Sequence, residues 1–233
     1  MQVISGSRRL EARAVPVSRW VMLAVLAVAA VTTGSGCATV IRDKSRVNYM
    51  GDGFGPDYLH NGGLAMLPAV PGQAPEGHHP PMGEQVSSAV ATAMGECTFL
   101  DWRETMDRIN AADLSGTYQD LITTYRETAI LQQDNVAQLG DTLGVRYLLF
   151  VSLEDFHSKT QTSYNFLSGV QTVRTSQVSA FCQVWDCEPG DVVWEGSATA
   201  NSQGGEFTYD KPYSEYARVA ANGVTRRLFA AGR

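Results

Sequence analysis

Val145-Arg-Tyr-Leu-Leu-Phe-Val-Ser-Leu153 is the stretch on which the fold turns. A nine-residue run this apolar, rich in branched and aromatic side chains, reads as a central strand buried on both faces, and such a strand requires helices above and below it. On its C-terminal side, Val178-Ser-Ala-Phe-Cys-Gln-Val-Trp185 and Val192-Val-Trp-Glu-Gly-Ser-Ala198 flank Glu188-Pro189-Gly190-Asp191. Pro presets the first turn position and Gly supplies the positive φ of the second, so these two runs form a hairpin with a type II turn or a longer loop. On its N-terminal side, Asn61-Gly62-Gly63 opens Leu64-Ala-Met-Leu67, a first strand ended by Pro68.

Between the strands the apolar period becomes helical. Val86, Ala89, Val90, Ala93 and Met94 form one stripe from Gly83 onward. Cys97-Thr-Phe-Leu100 reads as a short strand, and Trp102, Met106 and Ile109 as a short helix. Tyr118, Leu121, Ile122 and Tyr125 give another helix with Ser115 as its cap, and Val136, Leu139 and Leu143 one more, closed by Gly144. Pro212 precedes a last stripe of Tyr213, Tyr216, Ala217, Ala220, Val224 and Leu228, with Arg226 and Arg227 in the final turns, where cations suit the helix dipole. The stretch Pro68 to Pro81, with five prolines and the pair His78-His79, reads as a loop. The order indicates a single α/β (α+β) domain over residues 63–233: a mixed sheet with a β-hairpin in its C-terminal half and helices packed on it.

The chain has 233 residues, 44% of them hydrophobic, and a net charge of -6. That composition excludes repeat arrays, collagen-like chains and disordered chains, and the acidic balance with no basic cluster speaks against a nucleic-acid partner. The N-terminus is different. Arg8, Arg9, Arg13 and Arg19 precede Trp20–Val31, twelve residues without a polar side chain. As a helix these would span about 18 Å, short of the roughly 30 Å apolar core of a bilayer, so the segment reads as the charged and apolar regions of a signal peptide.

After the apolar run comes Thr32-Thr-Gly-Ser-Gly-Cys37-Ala-Thr. This resembles the lipobox of bacterial lipoproteins, in which small residues precede a cysteine that is acylated and becomes residue one; Gly34 stands where the family usually has Leu. The competing reading is an ordinary signal peptide cut near Gly34-Ser35-Gly36. The resemblance implies lipidation at Cys37 after loss of residues 1–36, and Ala38 in place of Asp implies the periplasmic face of the outer membrane. Losing four arginines and one glutamate moves the net charge from -6 to -9. Residues 37–62, with Gly51-Asp-Gly-Phe-Gly55, read as a flexible tether.

Leu143-Gly-Val-Arg-Tyr-Leu-Leu149, Val184-Trp-Asp186 and Val193-Trp194 around a Pro-Gly hairpin, with the closing helix, resemble periplasmic lipoproteins related to the curli secretion lipoprotein and the penicillin-binding-protein activator lipoproteins, over roughly residues 63 to 230. The resemblance implies a non-catalytic, membrane-anchored protein that binds an envelope protein partner as adaptor or regulator, or one that self-assembles as a secretion or scaffold component. It implies no catalytic residue, and the sequence carries no motif for a cofactor or metal.

An envelope hydrolase is the remaining alternative, resting on Glu154, Asp155 and His157 at the end of the central strand, but no nucleophile or phosphate-binding motif accompanies them. Cys182 and Cys187 lie about 16 Å apart along an extended strand, too far for a disulfide with each other unless the strand ends before Cys187, which otherwise leaves a bond from Cys97 to either one, or three free thiols. The polar stretch Phe156 to Gly169, with Tyr164, Phe166 and Leu167, reads as a long loop and a candidate interaction surface. It lacks the 9 to 11 residues per strand of alternating apolar side chains that a membrane-spanning hairpin needs.

Overall fold

The computed structural model describes residues 40–71, 79–166, 169–205 and 211–230. In chain order these form β1 (Arg42–Met50), α1 (Pro56–Gly62), β2 (Leu64–Met66), β3 (Val70–Pro71), α2 (His79–Met94), β4 (Phe99–Leu100), α3 (Trp102–Ala111), α4 (Ser115–Thr128), α5 (Gln133–Leu143), β5 (Tyr147–Asn165), β6 (Gly169–Asp186), β7 (Asp191–Gly205) and α6 (Tyr213–Ala230). The strands make one mixed sheet in the order β1-β7-β6-β5-β2-β4, with β3 also on β5. β2 and β3 run parallel to β5, whereas β5, β6, β7 and β1 are successively antiparallel.

The sheet is covered on both faces, as the apolar run at 145–153 requires. Leu149, Val151 and Leu153 of β5 meet Val86 and Val90 of α2 and Ala217, Ala220 and Val224 of α6 in one core. Leu148 and Phe150, one residue out of phase, meet Ile109 of α3, Leu121 of α4 and Leu139 of α5 in a second. The strand's period of two thus assigns alternate side chains to opposite cores, and each fully buried Leu or Val contributes about 1.5–3 kcal/mol. Local signals close several helices. Asp101 Oδ1 accepts from the Arg103 and Glu104 amides at 2.8 and 2.9 Å to cap α3, and Gly144, at φ 69°, ends α5 with its amide on the Gly140 carbonyl. Gly190, at φ 74°, makes the expected turn between β6 and β7.

Four expectations are corrected. The tether does not extend to residue 62: Arg42–Met50 is an edge strand paired with β7, the glycine run forms a turn tied down by the Gly51 amide on the Val193 carbonyl at 2.9 Å, and Phe54 and Leu59 are buried. The stretch from Pro68 is not all loop, since Val70–Pro71 pairs with Ser152–Leu153 and α2 starts at His79; residues 72–78, including His78, lie outside the described residues. Ser115 is the first residue of α4 and not its cap, for its hydroxyl donates to Asn110 Oδ1 at 2.8 Å. The loop Phe156 to Gly169 is largely strand: β5 continues to Asn165 and pairs with β6 residue by residue to Gly169.

Candidate interaction surface

Among the described residues the continuation of β5 and β6 builds the most exposed apolar feature. Past a β-bulge between Leu153 and Asp155, Phe156 still packs edge-on against Tyr213 with ring centroids 5.2 Å apart. From Ser158 to Tyr164 every residue of β5 is exposed. Among the described residues β7 accompanies β6 as far as Val173, which pairs with Gly205 on one side and Gln161 on the other. At about 3.3 Å per residue, the seven steps from Ser158 to Asn165 reach roughly 23 Å. Polar β-formers hold the two strands together, including a Ser158–Ser176 hydroxyl pair at 3.0 Å and a Thr162–Thr172 pair at 3.3 Å.

At the end of this arm Tyr164 is 74% exposed, Phe166 89% and Val170 65%, with Tyr164 directly opposite Val170. As a cross-strand pair Tyr164 and Val170 add about 0.2–1 kcal/mol to the hairpin, and with Phe166 they form an exposed apolar group that is a candidate contact surface. Across 158–163 and 171–176 Val173 is the one apolar residue among Ser, Thr, Gln, Lys and Arg, so the alternation that a lipid-facing hairpin requires is missing even though the strand length is present.

Asp155 Oδ2 and His157 Nδ1 are 2.7 Å apart, while Glu154 sits exposed in the bulge. Among the described residues no hydroxyl or thiol is hydrogen-bonded to the other ring nitrogen of His157, and no group of three metal-ligating side chains occurs. The three described cysteines are free: Cys97 is half-buried, Cys182 lies in the core beneath α2 and α6, and Cys187 lies in the core on the opposite face. Burial pushes the Cys182 and Cys187 thiols up to about 12, so neither is a thiolate at neutral pH.

At the other end of β6 the motif Val184-Trp-Asp186 acts structurally. Asp186 accepts from Arg146 Nε at 3.0 Å and from Nη2 at 2.8 Å, and Arg146 Nη1 reaches Glu188 at 3.0 Å, which ties the β6–β7 turn to the start of β5. Trp185 stacks on Phe150, with centroids 5.0 Å apart, and donates to Gln183 Oε1 at 3.1 Å; the Tyr125 hydroxyl of α4 bonds to the same oxygen.

Sequence reasoning missed the edge strand β1. Its one signal was Arg42, Lys44 and Arg46 at period two, a basic face without an apolar partner face. Among the described residues no helix is long and apolar enough to cross a membrane. No protein-family model and no curated protein matches the chain. Among solved structures it is similar to the PelC dodecamer from Paraburkholderia phytofirmans, at 12% identity over 80% of this chain and 97% of that one, with a TM-score of 0.46. It is similar also to a lipoprotein from Neisseria meningitidis, at 16% identity over 65% and 89% of the two chains with a TM-score of 0.34. The C-terminal domain of LpoB from Salmonella enterica is a further similar structure, at 13% identity over 64% and 86% with a TM-score of 0.38.

Proposed function

We propose that this chain is a non-catalytic lipoprotein, anchored through an acylated Cys37 on the periplasmic face of the outer membrane, that binds an envelope protein partner through the tip of its β5–β6 hairpin. The observation that carries the binding role is the trio Tyr164, Phe166 and Val170, exposed together at the end of a polar arm. Aromatic side chains presented in this way supply most of the energy of a small protein interface, because they bury large apolar areas while losing few rotamers. The anchor rests on the small residues before Cys37 and the apolar run that precedes them.

A photoreactive residue placed at position 166 in the full chain, activated in intact cells, tests the arm. Adducts to another envelope protein, lost in a Tyr164→Ser/Val170→Ser background, are expected. Adducts only to further copies of this chain would instead support the oligomeric scaffold, and a chain that yields none would overturn the binding role. The anchor is tested separately: Cys37→Ala should release the protein from membranes, and unchanged association would refute it.

A further inference from the structure

The free edge of the sheet collects positive charge in an otherwise acidic chain. Among the described residues β1 pairs only with β7, so its outer side is open. A groove of about 580 Å³ runs along it, and its lining includes four cations, Lys44 and Arg46 of β1 with Arg226 and Arg227 of α6, against one carboxylate, Asp43. Arg226 Nη2, a terminal nitrogen, donates to Asp43 at 2.7 Å, and Arg227 Nε donates to the Ser45 carbonyl at 3.2 Å, so both guanidinium groups are fixed at the groove and Arg227 is held by its inner nitrogen with its two terminal nitrogens left over. Arg46 Nε reaches the Ser197 hydroxyl at 3.2 Å, and Lys44 has no hydrogen bond or ion pair among the described residues. The result is a set of fixed and unsatisfied donors with a local excess of positive charge, which suits a phosphate oxygen.

Chain length says what lies next to it. Arg42 is five peptide units from Cys37 and Asp43 six, which at full extension span at most about 18 and 22 Å. Ile41 already packs against the core, so β1 is fixed to the domain from its first residue. If Cys37 carries the lipid, the start of β1 and the near end of the groove therefore lie within about 22 Å of the bilayer surface.

We infer that the groove formed by β1 and the last turns of α6 takes the phosphodiester headgroup of an anionic phospholipid in the membrane that holds the anchor, which fixes the domain edge-on to the bilayer. The inference rests on the proposed lipidation of Cys37. Each basic residue near an anionic surface changes partitioning about fivefold, so a pair of them changes it about 25-fold.

The test uses the mature chain extracted from membranes, in mixed micelles of phosphatidylglycerol or phosphatidylcholine, with native mass spectrometry counting the lipids retained. The wild-type chain should prefer phosphatidylglycerol, and Arg226→Gln/Arg227→Gln should reduce that preference about 25-fold. Because those arginines also brace β1, Lys44→Gln/Arg46→Gln, which breaks no ion pair among the described residues, serves as the second variant and should give a similar loss. Equal retention of the two lipids, or preferences unchanged in both variants, would overturn the headgroup site. Displacement of the lipid by millimolar inorganic phosphate would overturn the lipid as its occupant. The same spectra report the mass on Cys37. An acylated Cys37 with no lipid preference removes the site and leaves the anchor, whereas an unmodified Cys37 with the preference intact removes the anchor and leaves the site.

Discussion

Replacing Arg146 by alanine should destabilise the domain more than replacing Asp186, although the two share one ion pair. The Asp186 side chain is 6% exposed and the Arg146 side chain 43%. The carboxylate receives three contacts of 2.8 to 3.0 Å from the guanidinium, and one more from the Glu188 amide at 3.1 Å. Hydrogen bonding to that carboxylate raises the Arg146 pKa above its ordinary value. Arg146→Ala leaves a buried carboxylate with one donor, a change that costs about 3–5 kcal/mol. It also loses a contact with the Tyr147 ring, 5.6 Å from the guanidinium carbon, worth about 0.5–1 kcal/mol. Asp186→Ala leaves a cation that rehydrates and keeps Glu188, and costs about 1.5–3 kcal/mol. The double variant removes the stranded charge and should be more stable than Arg146→Ala alone. Urea unfolding followed by the fluorescence of the buried Trp185 and Trp194 reads the differences directly. At about 2–3 kcal/mol per molar urea, the Arg146→Ala midpoint should fall by roughly 1–3 M. An Asp186→Ala variant as unstable as Arg146→Ala, or a double variant less stable than either single one, would refute the reasoning.

The packing makes three further predictions. A Cβ on Gly140 would lie 2.5 Å from the Cys187 Cβ and 3.1 Å from the Val145 carbonyl, so Gly140→Ala should cost about 1–3 kcal/mol, seen as a drop in Tm of several degrees; an unchanged Tm would contradict the close approach of α5 to the turn. A Cβ on Gly196 would fall 2.2 Å from the Trp194 ring, which is fully buried, so Gly196→Ala should displace the indole and red-shift its emission, and an unaltered spectrum would count against that stacking. In the folded mature chain with Cys37 acylated, a disulfide thiol reagent should modify Cys97 alone. Raising the pH from 7 to 9 should not expose a second thiol, because burial holds Cys182 and Cys187 near 12; three reactive thiols before unfolding would contradict their burial.

The core elements were legible because their signal is local. An apolar run flanked by turn residues, or a stripe at helical spacing, reports burial within a window of about ten residues, and that is why β5 from Tyr147 to Leu153, the β6–β7 turn and the helices α2 to α6 could be read from the chain alone. The candidate surface was legible only in part: Tyr164 and Phe166 stood out as apolar among polar neighbours, but the strand that carries them did not. Ser158-Lys-Thr-Gln-Thr-Ser163 contains nothing apolar, and what makes that segment extended is pairing with residues 171–176, whose register is set further down by the buried part of the same two strands. β1 was invisible for a stronger version of the same reason. Its partner is β7, about 150 residues away, and its edge position demands no apolar face. Arg226 and Arg227 could be placed at a helix end from sequence. Their meeting with Asp43 and Ser45 depends on how the sheet closes over α6, because charge contacts between distant segments leave no periodic trace in either one.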